Sequence, residues 1–207
     1  MPPPVASVPA TPAPTVNHFD LAVRHQTLGN FEQALAHYTT LLASDEFNVE
    51  ARNNLGLLYH ERGLAGEAIE QFRRAILLDP RYVRARSNLA VVLMNGSRLD
   101  EARAELRAAL ALEPRNVDLH VNLALVEQAH GRSDEARGTL IRALGYQPSH
   151  PAAHYNLAIL YEESGDIARA YDHYNEFLKH AGPEYGVRLS DVRRRLELIA
   201  PRLLTRE

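Results

Sequence analysis

The chain contains 207 residues, of which 45% are hydrophobic and 24% are charged, and its formal net charge is -3. This charge excludes a general electrostatic attraction to nucleic acid, since phosphate binding depends on an excess of Lys and Arg. No apolar run approaches the roughly 18 residues of a membrane-spanning helix, and the absence of Cys excludes disulfides, thiolate metal sites and Cys nucleophiles.

Residues 1–14 form a proline-rich segment that holds six of the twelve prolines in the chain. Such a composition favours extended polyproline conformations and cannot build a core, so the segment is predicted to be a disordered tail or linker. It lacks the basic start and unbroken apolar stretch of a secretory signal. We therefore expect a cytoplasmic protein, the alternative being the periplasm if an upstream segment has been removed.

A tripeptide of Asn, Leu and a small residue recurs every 34 residues, and it divides residues 15–184 into five frames. The frames are 15–48, 49–82, 83–116, 117–150 and 151–184, and they are called repeats 1 to 5 below. Position seven of each repeat is Leu, and position twenty is Ala. Small residues at fixed places let two helices approach closely while larger residues fill the space around them. Each repeat is therefore predicted to be a helical hairpin.

Turn residues separate the two helices of each predicted hairpin. Gly stands near position fifteen, where a left-handed residue can end the first helix. The five glycines are Gly29, Gly63, Gly96, Gly131 and Gly165. Proline at position thirty-two stops the second helix in three repeats, at Pro80, Pro114 and Pro148. Helix, turn, helix and turn account for each frame, and they predict an all-α fold.

The motif of repeat 2 resembles the tetratricopeptide repeat. It reads Leu55-Gly56-x-x-Tyr59, Ala68-x-x-x-Phe72, Ala75 and Pro80. The resemblance implies a right-handed solenoid of about five helix-turn-helix repeats over residues 15–184. Abundant Arg and Ala with scarce Lys is typical of a GC-rich bacterial genome.

After the repeats, residues 185–207 are predicted to form a capping helix and a tail. Leu189, Val192, Leu196 and Ile199 are spaced by three or four residues and give this helix one apolar face. Such a face would cover the exposed side of repeat 5. Because proline interrupts a helix, the capping helix is expected to end at Pro201.

The resemblance also implies that the first helix of each repeat lines a concave groove. Position six then contributes four Asn residues, and position nine contributes an aliphatic row beside them. The implied groove residues are Asn54, Asn88, Asn122, Asn156, Leu57, Val91, Leu125, Ile159, Tyr155 and Arg84. A side-chain amide donates and accepts hydrogen bonds at once, which suits the backbone of an extended peptide. The alternative is that these Asn residues are structural and bond between adjacent repeats.

These observations predict a non-enzymatic scaffold that binds an extended peptide or partner tail in the groove, without a cofactor or metal. His18, His120 and His154 share position four of their repeats, where a long amphipathic side chain is expected rather than a metal ligand. The sequence contains no motif of a serine hydrolase, zinc protease, phosphate-binding loop or EF-hand. Two alternatives remain: a self-assembling module of a bacterial envelope or organelle complex, and a regulatory arm of a multidomain enzyme.

Overall fold

The structure, a computed structural model, describes residues 16–204, and within this range every regular element is helical. Its helices are α1 (His18–Thr27), α2 (Phe31–Ser44), α3 (Val49–Glu61), α4 (Ala65–Leu78), α5 (Val83–Asn95), α6 (Leu99–Leu112), α7 (Val117–Ala129), α8 (Ser133–Tyr146), α9 (Pro151–Glu163), α10 (Ile167–His180) and α11 (Gly186–Leu204). The predicted all-α solenoid of helical hairpins with a C-terminal helix is confirmed. None of these helices is both long and apolar enough to span a membrane. The proline-rich segment 1–14 lies outside the described residues.

Each hairpin packs through the small residues at the predicted positions. The alanines at position twenty are all fully buried: Ala34, Ala68, Ala102, Ala136 and Ala170. The two helices of repeat 2 also approach closely at Gly56, where an added Cβ would lie 2.6 Å from the ring of Phe72. Because Phe72 is itself fully buried, an alanine at this position would displace a core side chain.

A left-handed residue follows the first helix of every hairpin, but in repeat 3 that residue is not glycine. In the other four repeats this residue is a glycine whose φ angle lies between 73° and 80°; the four are Gly29, Gly63, Gly131 and Gly165. In repeat 3 the φ angle of Gly96 is -86°, and Ser97 takes the left-handed conformation with φ of 58°. Gly96 stands one residue too early for this role, so Ser97 carries the backbone strain.

The side chains at position four hold the turns between repeats. In repeats 2 to 5, a guanidinium or imidazole N–H donates to the backbone carbonyl oxygen six residues earlier. The four bonds join Arg52 to Glu46, Arg86 to Pro80, His120 to Pro114 and His154 to Pro148, at 2.6 to 3.0 Å. Among the residues described, no group of three or more His, Asp or Glu side chains has the arrangement of a metal site.

In repeat 5, the position-four histidine also contacts a second histidine. The Nδ1 atoms of His154 and His173 lie 2.9 Å apart. Since His154 donates from Nε2 to a carbonyl oxygen, its Nδ1 accepts and His173 donates. This bond requires His154 to be neutral, because its Nδ1 must keep a lone pair, and burial lowers the pKa of both imidazoles.

The capping helix α11 packs against α10 through the predicted apolar face. Val192 and Ile199 are buried, and Leu196 is partly buried. The expectation that this helix ends at Pro201 is wrong, since it continues to Leu204. Proline removes the hydrogen bond of its own nitrogen and crowds the preceding turn, but Leu203 in the following turn packs against the core. That contact keeps the last turn helical.

The neutral histidine pair predicts a loss of stability in acid. A histidine whose pKa is lowered by folding binds fewer protons than it does in the unfolded chain. The contribution of such a histidine to the free energy of unfolding is therefore complete above pH about 6.5. It is lost as the pH falls toward the lowered pKa of the folded state. Urea denaturation from about pH 7.5 to about pH 5.5 measures this loss. In His173→Gln, whose amide still donates to His154, we expect a smaller loss; an unchanged loss would contradict the pairing.

The strained turn of repeat 3 predicts a stabilising substitution. Ser97→Gly should raise the free energy of unfolding by about 0.5–1 kcal/mol, because the left-handed conformation costs a residue with a Cβ about 1–2 kcal/mol. The matched control is Ser164→Gly, since Ser164 ends a first helix with a right-handed φ of -80°. Urea denaturation should show no gain for this control, and an equal gain in both variants would rule out strain as the cause.

Candidate functional site

The first helices of the repeats line one face of the solenoid. Each of α1, α3, α5 and α7 packs closely against the first helix of the next repeat. In the described chain the backbones of successive second helices lie farther apart, and long side chains link them, as in the ion pairs of Arg73 with Glu101 and of Arg103 with Glu135. The first helices therefore converge, and their shared face is the concave side. The predicted Asn row and aliphatic row are both carried by these helices.

Two of the four Asn side chains bond across a boundary between repeats. Asn88 Nδ2 donates to Asn53 Oδ1 at 2.9 Å, and Asn122 Nδ2 donates to Ser87 Oγ at 3.3 Å. In both cases, the acceptor is at position five of the preceding repeat. Asn53 is only 3% exposed, so its amide is part of the core. The Asn row thus contributes to the joints between repeats 2, 3 and 4.

The residue at position five decides whether this bond forms. For Asn156, position five of the preceding repeat is Val121, and for Asn54 it is Phe19. Neither side chain offers a hydrogen-bond acceptor. Asn156 Nδ2 donates instead to the carbonyl oxygen four residues earlier in its own helix, at 2.7 Å. Asn54 Oδ1 accepts from Asn53 Nδ2 at 3.1 Å. The four Asn residues share one position but have different partners.

The bonds between repeats leave acceptors available on the row. The Oδ1 atoms of Asn88, Asn122 and Asn156 accept no hydrogen bond from the described residues, and the three side chains are partly exposed. In Asn88 and Asn122, the bond to the neighbouring repeat holds the amide in one orientation without using its oxygen. These oxygens can accept N–H groups from a bound peptide backbone.

A concave pocket of about 540 Å³ lies where the row passes from repeat 2 through repeat 3 to the start of repeat 4. Four of the predicted groove residues line it: Asn54, Leu57, Arg84 and Asn88. Sequence reasoning missed five further polar residues that line it: Asn53, Ser87, Glu113, Asn116 and Asp118. Small polar residues at position five, which occur only in repeats 2 and 3, were a usable signal for two of them. The pocket presents amides, apolar surface and charges of both signs.

The other predicted residues lie farther along the array, toward the C-terminus. Val91, Leu125 and Ile159 are partly buried on successive first helices, as the aliphatic row requires. Tyr155 packs on the second helix of its own repeat, with its ring centroid 5.3 Å from that of Phe177 in α10. The guanidinium of Arg188 in α11 lies 5.5 Å from the same ring. The cap therefore covers part of Tyr155.

The cap also neutralises one of two adjacent carboxylates at the end of α9. Glu162 Oε2 accepts from the Tyr174 hydroxyl at 2.6 Å and from Arg195 of α11 at 2.9 Å. Burial and the bond to Glu162 raise the pKa of Tyr174, so this phenol stays a donor. Glu163 is exposed and accepts from Gln128 of repeat 4 at 3.2 Å.

Comparisons with known proteins agree with this architecture. A family model described as tetratricopeptide repeat matches residues 19–82, 65–117 and 121–185. A crystal structure of MamA is 26% identical, with a TM-score of 0.69 over 78% of this chain and 94% of that chain. A thermophilic tetratricopeptide repeat protein of Thermus thermophilus is also 26% identical, with a TM-score of 0.68 over 89% and 97%. PilF of Pseudomonas aeruginosa, at 23% identity and a TM-score of 0.73 over 90% and 88%, shares the fold. No curated protein matches.

Alanine substitutions along the Asn row are expected to cost unequal amounts of stability. Asn88→Ala leaves the buried acceptor of Asn53 without its donor, and should lower the free energy of unfolding by about 1–3 kcal/mol. Asn156→Ala removes a bond within one helix and should cost about 0.5 kcal/mol or less. Urea denaturation of the two variants measures the difference. Equal costs would show that the bond between repeats does not stabilise the array.

Proposed function

Because the chain belongs to the tetratricopeptide repeat family, we propose that it is a non-enzymatic scaffold whose concave groove holds an extended segment of a partner protein. Repeats of this family generally mediate protein–protein interaction and carry no catalysis of their own. The observation that carries the proposal is the set of oriented Asn oxygens without an internal donor. They lie on the same helices as the partly buried aliphatic row.

The spacing of the row suits an extended peptide. Packed helices of this kind give the row a step of about 10 Å from one repeat to the next. An extended chain advances roughly 3.3 Å per residue, so one Asn meets the ligand backbone about every third residue. Four Asn residues therefore span a segment of about ten residues. At about 0.5–1.5 kcal/mol per hydrogen bond, such a row supports micromolar affinity once ordering costs are included.

Selectivity must come from side chains, because backbone contacts carry little sequence information. The aliphatic row of Leu57, Val91, Leu125 and Ile159 offers apolar surface once in each repeat, with the same spacing as the Asn residues. It favours an aliphatic ligand residue at every third position. In the concave pocket, Arg84 favours an acidic ligand residue, while Asp118 and Glu113 favour a basic one nearby. We therefore propose a partner segment with aliphatic residues and mixed charge.

Selection of peptides against the protein tests this proposal. A displayed library of linear twelve-residue peptides is selected on the full chain, and the dissociation constant of an enriched peptide is measured by calorimetry. Asn88→Ala and Asn122→Ala should each weaken binding by about 3- to 10-fold, which corresponds to the loss of one hydrogen bond of about 0.5–1.5 kcal/mol.

The matched control is Asn175→Ala. Asn175 is an exposed Asn of α10 whose amide bonds only to a carbonyl oxygen of its own helix. This variant should bind the peptide as the unaltered protein does. All measurements are made well below the unfolding temperature of the least stable variant, so that lost binding is separated from lost folding. Equal affinity for all three variants would exclude the Asn row as the peptide site.

A further inference from the structure

A second pocket, of about 620 Å³, lies among α6, α7 and α8. It shares no lining residue with the concave pocket, so it is a separate feature of the molecule. Its volume is in the range of sites that hold small molecules. The residues of repeat 4 explain why the array opens here.

The pocket exists because repeat 4 departs from the other repeats at position twenty-three. In the other four repeats a long polar side chain at this position bonds to the residue at position four. These pairs are His18 with His37, Arg52 with Gln71, Arg86 with Glu105 and His154 with His173. In repeat 4 the residue is the shorter Thr139, and the preceding residue is Gly138. A Cβ added to Gly138 would meet no atom within 4 Å, so the space above it is open.

His120 therefore keeps an unpaired acceptor at this pocket. The side chain is 4% exposed, and its Nε2 donates to the carbonyl oxygen of Pro114 at 2.9 Å. In the neutral imidazole its Nδ1 then bears a lone pair, and this atom is buried without any hydrogen-bond partner. Thr139 cannot supply a proton, because its hydroxyl donates to Glu127 at 2.8 Å. A buried acceptor without a donor favours a ligand that brings one.

Glu127 places a buried carboxylate in the same wall. It occupies position eleven, where repeats 2 and 5 have Tyr59 and Tyr161, and it is 3% exposed. Its Oε2 accepts from Thr139, while its Oε1 accepts no hydrogen bond from the described residues. A carboxylate is rarely buried without a cation, so this group favours a positively charged ligand.

The rim of the pocket has the opposite charge. Arg107 and Arg142 line it and are exposed, and neither forms an ion pair with a described residue. Glu135, the other carboxylate in the lining, is already paired with Arg103. Tyr146 adds an aromatic wall, with its ring centroid 5.5 Å from that of His120. The site thus combines a buried anionic floor, an aromatic wall and a cationic rim.

We propose that this pocket binds a small zwitterion of the amino-acid class. The ligand's ammonium donates to Glu127 and to Nδ1 of His120, and its carboxylate lies between Arg107 and Arg142. This site is independent of the peptide groove, because the two pockets are lined by different residues. The repeat array therefore carries a small-molecule site in repeat 4 beside its protein-binding face.

A series of ω-amino acids tests the proposal directly. Glycine, β-alanine, 4-aminobutyrate, 5-aminopentanoate and 6-aminohexanoate are titrated into the full chain by calorimetry near neutral pH, with n-butylamine and butyrate as single-charge controls. We expect saturable binding that is strongest at one chain length, with both single-charge compounds at least about tenfold weaker. Absence of binding across the series, or equal binding of butylamine, would overturn the proposal.

Two substitutions locate the binding site. Glu127→Gln keeps the shape of the side chain and removes its charge, while Gly138→Leu fills the open space in a helix that tolerates the added side chain. Each should weaken binding of the preferred compound at least about tenfold. Gly145→Leu is the matched control, since Gly145 is an exposed glycine of α8 with equally open surroundings and does not line the pocket.

The role of the cationic rim is tested by a separate pair of variants. Arg142→Gln should weaken the amino acid but not butylamine, whereas Arg115→Gln, at an exposed arginine outside the pocket, should change neither. Helicity measured by circular dichroism verifies that each variant is folded. If folded Glu127→Gln and Gly138→Leu bind the preferred compound as tightly as the unaltered chain, the site lies elsewhere and the inference is wrong.

Discussion

The close approach of helices at the buried alanines fixes the register in which every other contact of the array is made. Because these small residues recur at one period, each hairpin stacks on the last with the same offset. That offset places position six beside position five of the preceding repeat, and position twelve beside position thirteen of the next. The bonds from Asn88 to Asn53 and from Gln26 to Glu61 each join residues 35 apart. One packing constraint therefore generates both sets of polar contacts.

Features that follow from the period could be predicted from the sequence, and features that depend on a partner could not. The period shows that Asn88 and Asn156 occupy equivalent places, but it does not show that one meets Asn53 and the other Val121. The left-handed turn was predictable, and it keeps to the period even in repeat 3, where position fifteen is Ser97 and the glycine stands one residue earlier. At Pro201, the rule that proline ends a helix is valid locally, but the packing of Leu203 in the following turn outweighs it.

Positions that are identical in all repeats and positions that vary between repeats have different consequences in this chain. Residues that repeat without change, such as the position-twenty alanines, build the solenoid and leave no space between its helices. Both pockets arise where a position breaks the pattern. The concave pocket includes the small polar residues Asn53 and Ser87, and the second pocket opens at Thr139. In a repeat protein, the positions that differ between repeats are therefore the places to look for function.

The bonds at position twelve make the repeats an ordered series rather than exchangeable parts. Gln26 and Gln128 are each followed by a repeat that supplies a glutamate, whereas Glu162 is followed by α11, which supplies Arg195. The last hairpin thus carries a carboxylate whose partner is supplied by the capping helix and not by another repeat. Moving it into the interior of the array would separate Glu162 from its arginine and leave that carboxylate with only the Tyr174 hydroxyl. An array of the same hairpins with repeat 5 in its interior would therefore be less stable, so these side chains favour one linear order of the chain.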